Sequence, residues 1–138
     1  MVQGAQDFNA HAFWHDVSRL EQINKRFFAN DITIKKSFAI FLTNYSKYRF
    51  NDFSGSPIWK DYSMHDGKPL TTETLYFNTN QTTYKTKHKS FNAVTLQNKY
   101  TNLKWNDYKV KNYTDYEDKQ KSIHPGLSYL ILPVTPIK

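Results

Sequence analysis

The segment Ser37-Phe-Ala-Ile-Phe-Leu-Thr43 has the pattern of a β-strand, in which successive side chains alternate between two sides with a period of two. Phe38, Ile40 and Leu42 share one side of this strand and give it one strongly apolar face. The period of two begins at Ile32, and a helical period precedes it. The segment therefore divides the chain into an N-terminal part and a β-rich body that spans residues 32–134.

Residues 7–29, before this strand, follow the period of a helix. Apolar side chains recur at spacings of three and four and form one stripe: Phe13, Val17, Leu20, Ile23 and Phe27. The stripe predicts an amphipathic helix that packs on a sheet. The alternative is a helix that leaves the body and lies on a membrane, with candidate membrane-active side chains at Phe13, Trp14, Val17 and Leu20.

The other predicted strands are rich in threonine, aromatic or alternating apolar residues, which strands favour. They are predicted at Thr71–Phe77, Thr82–Lys87, Phe91–Leu96, Leu103–Lys111 and Leu127–Leu132, and Tyr48 and Phe50 continue the first strand after a bend. One helix followed by about six strands predicts a mainly β, α+β fold. We expect an antiparallel β-sandwich or barrel with the helix packed on one face.

The composition predicts a single folded domain, residues 1–138, because 17% of the residues are aromatic. The chain has no cysteine, which excludes a disulfide framework, a thiol nucleophile and a cysteine-based metal site. No apolar run reaches the ~20 residues of a transmembrane helix. No signal peptide is visible at the N-terminus. A cytoplasmic protein and the mature form of a secreted one both fit.

Few residues are candidates for catalysis or metal binding. His11 and His15 have the spacing by which two helix residues share a metal, but Ala12 stands where the HExxH signature has glutamate. Three carboxylates cluster in a tyrosine-rich segment and are typical of a solvated loop: Asp115, Glu117 and Asp118. No serine nucleophile motif or phosphate-binding glycine loop is present. We therefore expect no metal, no cofactor and no enzymatic activity.

The net charge of +7 favours an anionic partner. The most basic stretch is 82–111, where Asp107 stands against lysines at Lys85, Lys87, Lys89, Lys99, Lys104, Lys109 and Lys111. In an extended strand the first three would form a row that follows nucleic-acid phosphates, with Tyr84 and Phe91 stacking on bases. The alternative is an edge strand that its lysines keep soluble.

A cluster of tyrosine and tryptophan follows in the sequence. Its members are Tyr100, Trp105, Tyr108, Tyr113 and Tyr116. Such side chains suit a membrane interface or a choline head group, to which a ring offers cation–π attraction. We take Tyr100, Trp105, Tyr108 and Tyr113 as the candidate head-group site. The alternative is that these rings form the core and edges of a sheet.

The order of these elements resembles a known family. The helix leads into Lys36-Ser-Phe-Ala-Ile-Phe-Leu-Thr-Asn44-Tyr-Ser-Lys-Tyr-Arg-Phe50 and a Ser54-Gly55 loop, which is similar to the opening of actinoporin-like cytolysins and their lectin relatives. The final segment, Gly126–Val134, is similar in character to that family's last strand. The resemblance implies a β-sandwich that binds lipid head groups and an N-terminal helix that can enter the bilayer.

The sequence thus favours a non-enzymatic, membrane-lipid-binding protein that can form pores if the resemblance holds. Two alternatives stay open. One is a nucleic-acid-binding module that uses the lysines of 82–111. The other is a structural or accessory subunit that binds another protein through its aromatic face or associates with itself.

Overall fold

The computed structural model describes residues 3–26, 32–69, 73–78, 80–108 and 127–138. The fold is α+β, as predicted, with one long N-terminal helix followed by antiparallel strands. The elements are α1 (Gln3–Glu21), α2 (Ile23–Arg26), β1 (Ser37–Thr43), α3 (Lys47–Phe50), a 3₁₀ turn (Lys60–Tyr62), β2 (Thr74–Leu75), β3 (Thr83–Lys85), β4 (Ser90–Asn92), β5 (Val94–Thr95), β6 (Trp105–Tyr108) and β7 (Leu127–Val134).

The main sheet has three strands in the order β1-β7-β6, with antiparallel neighbours. The first long strand of the chain therefore pairs with the last, and Ile40 lies opposite Ile131. The pairs β2–β5 and β3–β4 form two further sheets. Among the described strands these three small sheets do not close into a barrel.

Helix α1 packs against the main sheet and against the two smaller ones. On one side the ring of Phe13 lies 5.9 Å from that of Phe41 in β1. On another, the ring of His11 lies 5.2 Å from that of Phe91 in β4, and Ser18 donates a hydrogen bond to the Thr95 carbonyl. Because His11 and Phe13 point about 200° apart around the helix, α1 separates the main sheet from the smaller sheets.

Aromatic side chains form much of the core, which explains their abundance. Trp14 is completely buried, and its Nε1 donates to the carbonyl of Tyr62 at 3.0 Å. The rings of Trp59 and Phe77 meet edge to face at 5.1 Å, and Phe77 stacks on Tyr62 at 4.9 Å. The stripe predicted for the helix is therefore too narrow, because Trp14 lies in the core with Phe13 and Val17.

A buried carboxylate ties the end of α1 to the rest of the fold. Glu21 is completely buried. Its oxygens accept hydrogen bonds from the backbone N–H groups of Gln97 and Asn98, both at 2.8 Å, and from the Tyr100 hydroxyl at 2.7 Å. A buried carboxylate is tolerated only with such donors. No local sequence pattern predicts this contact, since the partners of Glu21 lie more than 70 positions away.

Two predicted elements differ from the structure. The helix begins at Gln3 and its main body ends at Glu21, not at residue 29; Phe27 lies outside the described residues. The predicted continuation of β1 is wrong, because residues 47–50 form α3. A strand would place Tyr48 and Phe50 on the same side. The turn instead buries Tyr48 against Phe41, at 4.9 Å between rings, and exposes Phe50.

Within the described residues, β3 is shorter than the predicted Thr82–Lys87, and the predicted Phe91–Leu96 is divided between β4 and β5, which belong to different sheets. β2 keeps two residues of the predicted Thr71–Phe77, while β7 extends to Val134. The described helices include none that is long and apolar enough to span a bilayer.

Candidate functional site

The side of the main sheet that faces away from α1 is apolar and exposed. We call it the outer face and define it by six residues in three cross-strand pairs: Phe38–Pro133, Ile40–Ile131 and Leu42–Tyr129. Phe38, Ile40, Leu42 and Ile131 keep 55, 66, 59 and 46% of their surface accessible. The six side chains form one contiguous patch because members of a cross-strand pair lie side by side.

The structure assigns the two sides of β1 in an unexpected way. The sequence identified Phe38, Ile40 and Leu42 as the apolar side of this strand. The side that packs on α1 is the other one, where Ala39 is buried and Phe41 contacts Phe13. An antiparallel sheet with one covered face usually carries polar residues on the other. A large exposed apolar patch on a folded protein marks a binding surface.

Lysines flank the outer face. Lys35 and Lys36 stand directly before β1, and Lys104 stands directly before β6; all three are exposed. Lys47 follows β1, with its Nζ 5.9 Å from the ring centroid of exposed Tyr45. Asp107 of β6 lies opposite buried Ser128 and so on the inner side of the sheet, where it pairs with Arg49. The rim of the outer face is basic.

A groove lies beside the outer face, between the helices and β1. Its volume is about 370 Å³. The helices contribute Phe13, Asp16, Arg19, Leu20 and Ile23, and β1 contributes Phe38, Ala39 and Ile40. No residue of β7 lines it, so the groove follows the edge of β1 that β7 leaves open.

Two of the four residues predicted to bind head groups are not at this surface. Tyr100 and Trp105 are buried. The Trp105 Nε1 donates to the Met64 carbonyl at 2.7 Å, and burial together with the hydrogen bond to Glu21 raises the pKa of the Tyr100 phenol. Neither ring offers a face to a ligand. Tyr108 lies in β6 but its side chain, like all of Tyr113, is outside the described residues.

The candidate membrane-active side chains of α1 also belong to the interior. Phe13, Trp14 and Val17 are buried, and Leu20 packs partly against the core. A membrane-inserting role for them requires α1 to leave the core and to expose the aromatic residues beneath it.

The predicted lysine row is a cluster at a hairpin tip. Lys85 ends β3, and the strand does not continue to Lys87 as predicted. Thr86 stops it: its N–H donates to the Lys89 carbonyl at 2.7 Å, and its Oγ1 accepts the N–H groups of His88 and Lys89. Lys85, Lys87 and Lys89 are exposed, as is Lys104. Lys109 and Lys111 lie outside the described residues.

Polar groups in the interior show structural roles. His11 Nε2 lies 2.9 Å from the Asn92 carbonyl, and burial lowers the pKa of His11. Lys68 Nζ donates to the carbonyls of Asp61 and Ser63 at 2.7 and 2.6 Å, and burial lowers its pKa to about 8.

Ser63 Oγ lies 3.2 Å from His65 Nδ1, but this serine is buried and closed to a substrate. Within the described part of the chain, no group of three or more His, Asp or Glu residues is placed to hold a metal ion.

Comparison of the chain with protein-family models, with curated proteins and with solved structures gives no match. The resemblance to actinoporin-like cytolysins stays a prediction from the sequence alone. The candidate site therefore rests on the geometry of the outer face and its groove. Alternation in β1 was the sequence signal for the outer face, and no signal in the sequence pointed to the groove.

Proposed function

We propose that the protein binds the surface of anionic lipid membranes through the outer face, without an enzymatic role. The observation that supports the proposal is the exposed patch of three apolar cross-strand pairs with lysines at its rim. Apolar side chains at the patch would enter the interface between head groups and acyl chains. The lysines would lie among anionic head groups.

The expected binding is weak and reversible. Full burial of a large apolar side chain contributes about 1.5–3 kcal/mol, and the side chains of the outer face are already partly covered, so each adds about 1 kcal/mol. A lysine near an anionic bilayer adds about 1 kcal/mol, which salt reduces. Four apolar side chains and two to four lysines suffice for peripheral attachment.

The proposal does not require α1 to move. It keeps the membrane partner predicted from the sequence but transfers the contact from Tyr100, Trp105 and α1 to the outer face. Pore formation, which only the family resemblance implied, is not part of it.

The test is cosedimentation of the full chain with vesicles of phosphatidylcholine, alone or mixed with phosphatidylserine, at low and near-physiological salt. We expect binding to the mixed vesicles only, and its loss in the double variant Ile40→Glu/Ile131→Glu. Lys35→Glu/Lys36→Glu should weaken it strongly. The control Lys87→Glu/Lys89→Glu makes the same change of net charge at the hairpin tip and should bind as the wild type does.

Two results would contradict the proposal. One is an absence of binding at every salt concentration. The other is equal loss in both lysine variants, which would show attraction by net charge alone. A short DNA duplex added as competitor tests the nucleic-acid alternative. The rings that this alternative needs for stacking on bases are already engaged on one face, because Tyr84 stacks on Phe77 and Phe91 stacks on Phe8.

A further inference from the structure

Beyond membrane attachment, we propose that the groove between the helices and β1 binds an extended segment of a partner protein. The segment adds a strand antiparallel to β1, alternate apolar side chains of the segment enter the groove, and its acidic carboxyl-terminal residues lie at Lys35 and Lys36.

The open edge of β1 supplies the backbone contacts. β1 pairs with β7 over all of Ser37–Thr43. Within the described residues, no backbone hydrogen bond reaches β1 from its other side. Alternate residues of an edge strand leave N–H and C=O groups that a further strand can pair with.

The sequence of β1 itself also lacks the features by which strands usually protect an edge. It has seven residues and contains no proline and no charged side chain. The other edge of the sheet, β6, is four residues long and carries Asp107, and the β3–β4 hairpin has Lys85 at its end. Since proteins protect long edges with charges, proline or short length, an unprotected edge indicates one that is used.

The groove supplies the side-chain contacts. Its apolar lining comes from Phe13, Leu20 and Ile23 of the helices and from Phe38, Ala39 and Ile40 of β1. Side chains of a strand alternate between the two sides of a sheet. Every second side chain of an added strand would therefore enter the groove, which is how strand addition gains sequence preference.

The charges at one end give the segment its direction. The Asn24 side chain exchanges two hydrogen bonds with the backbone of Ile34, at 2.8 and 2.9 Å. These bonds hold the end of the helices beside the start of β1, and they bring exposed Lys25, Lys35 and Lys36 to the same end of the groove. A segment antiparallel to β1 ends there, so its carboxyl-terminal residues meet three ammonium groups. Acidic side chains or a free carboxylate are the complement.

The same charges argue against a second copy of the chain as the occupant. An antiparallel pair of β1 strands would place Thr43 and Asn44 of one copy near Lys35 and Lys36 of the other. Neither residue is acidic, so the lysines would stay without counter-charges. A partner with acidic residues after an alternating apolar run fits better.

The test begins with selection of random peptides of about ten residues, enough to match the seven residues of β1, on the full-length protein. We expect enriched peptides to alternate apolar residues and to end in acidic ones. A fluorescein-labelled copy of an enriched peptide then serves as the probe. Ile23→Asp, a change at a partly exposed groove residue, and Lys35→Glu/Lys36→Glu should each weaken its affinity about tenfold or more. The control Lys87→Glu/Lys89→Glu should stay within about twofold.

Amide hydrogen exchange gives the signature of strand addition. The probe should protect every second amide of β1, namely those that point away from β7, while the others are protected already. The proposal is overturned if enriched peptides show no alternation, if Ile23→Asp binds the probe normally, or if no amide of β1 gains protection. Protection of these amides at high protein concentration without peptide would overturn it in favour of self-pairing.

The two proposals fail separately. Ile131 lies on the outer face and does not line the groove, so Ile131→Glu should weaken vesicle binding and leave peptide affinity unchanged. Ile23→Asp should do the reverse.

Discussion

The inner and outer faces of the main sheet both carry apolar side chains, but α1 covers the inner face whereas the outer face is exposed to solvent. On the inner face, Leu130, Leu132 and Val134 of β7 are buried, and the small side chain of Ala39 in β1 lets α1 approach. On the outer face, Phe38, Ile40 and Leu42 stand in solvent. In β1 three of the four large apolar side chains are therefore left uncovered, and only Phe41 packs inward. The helix packs on the side of the strand that lets it approach closely, and the alternation of apolar residues does not by itself predict which side that is.

Neighbouring residues of β7 give the largest test of this difference. Leu130 is 1% exposed on the inner face, and Ile131 is 46% exposed on the outer face. Leu130→Ala should lower the free energy of unfolding by about 2–5 kcal/mol, because it leaves a cavity in the core. Ile131→Ala should lower it by less than about 1 kcal/mol. Urea denaturation of both variants measures the difference, and similar losses would mean that the outer face is covered in solution.

The second prediction concerns Glu21, which holds α1 in place over the inner face. Glu21→Gln keeps the shape of the side chain but has one oxygen for three donors, and its amide group adds donors where acceptors are needed. We expect a loss of about 2 kcal/mol in the free energy of unfolding.

Asp16→Asn is the control for this variant. Asp16 is on the same helix, and its ion pair with Arg19 joins two side chains that are more than half exposed. Its loss should cost less than about 0.5 kcal/mol. Equal effects of the two variants would contradict a structural role for Glu21.

The sequence predicted the fold class, the first and last long strands and the presence of the N-terminal helix, because each depends on local periodicity. It did not predict that Tyr48 turns inward or that Lys87 and Lys89 leave the strand. Tyr48 turns inward because of two contacts. Its hydroxyl accepts a hydrogen bond from Asn9, which lies far away in the sequence, and its ring packs on Phe41, which lies across the bend after β1. A hydroxyl of Thr86 ends β3.

The candidate site was harder to predict than the fold. Tyr100 and Trp105 have the composition of a binding cluster, yet Glu21 and Met64, from distant parts of the chain, draw them inside. The groove forms only because the helices lie beside β1. That arrangement results from tertiary packing, which no sequence motif predicts. Sequence patterns thus showed which residues are apolar but not which of them stay accessible.

The third prediction uses pH to test how α1 is buried. Burial raises the pKa of Asp7 from 3.8 to about 6. The folded state therefore binds more protons than the unfolded state between these values, and the contribution of Asp7 to stability falls as the pH rises from about 4 to about 6. Above pH 6 the folded protein carries a partly buried charge that it disfavours.

Asp7→Asn removes that charge. At pH 7 the variant should be more stable than the wild type by about 1 kcal/mol, an amount that allows for solvent screening of a partly exposed group, or by a few degrees in Tm. At pH 4 the two proteins should melt together. Thermal melts followed by circular dichroism at both pH values measure this, and a gain that is equal at both would show that charge is not its cause.

The smallest expected effect on stability concerns the outer face itself. Ile40 and Ile131 lie directly opposite each other, and threonine shares with isoleucine a branched β-carbon and a preference for strands. The pair Ile40→Thr/Ile131→Thr should therefore change the free energy of unfolding by less than about 1 kcal/mol, whereas in a core two polar replacements would cost several times more. Binding to phosphatidylserine-containing vesicles should fall about thirtyfold in the same variant, since about 1 kcal/mol of apolar contact is lost at each of the two positions. Unchanged stability with weakened binding would identify these side chains as kept for a partner. Strong destabilisation would instead show that a further layer of the protein covers them, and the two faces of the sheet would then be equivalent.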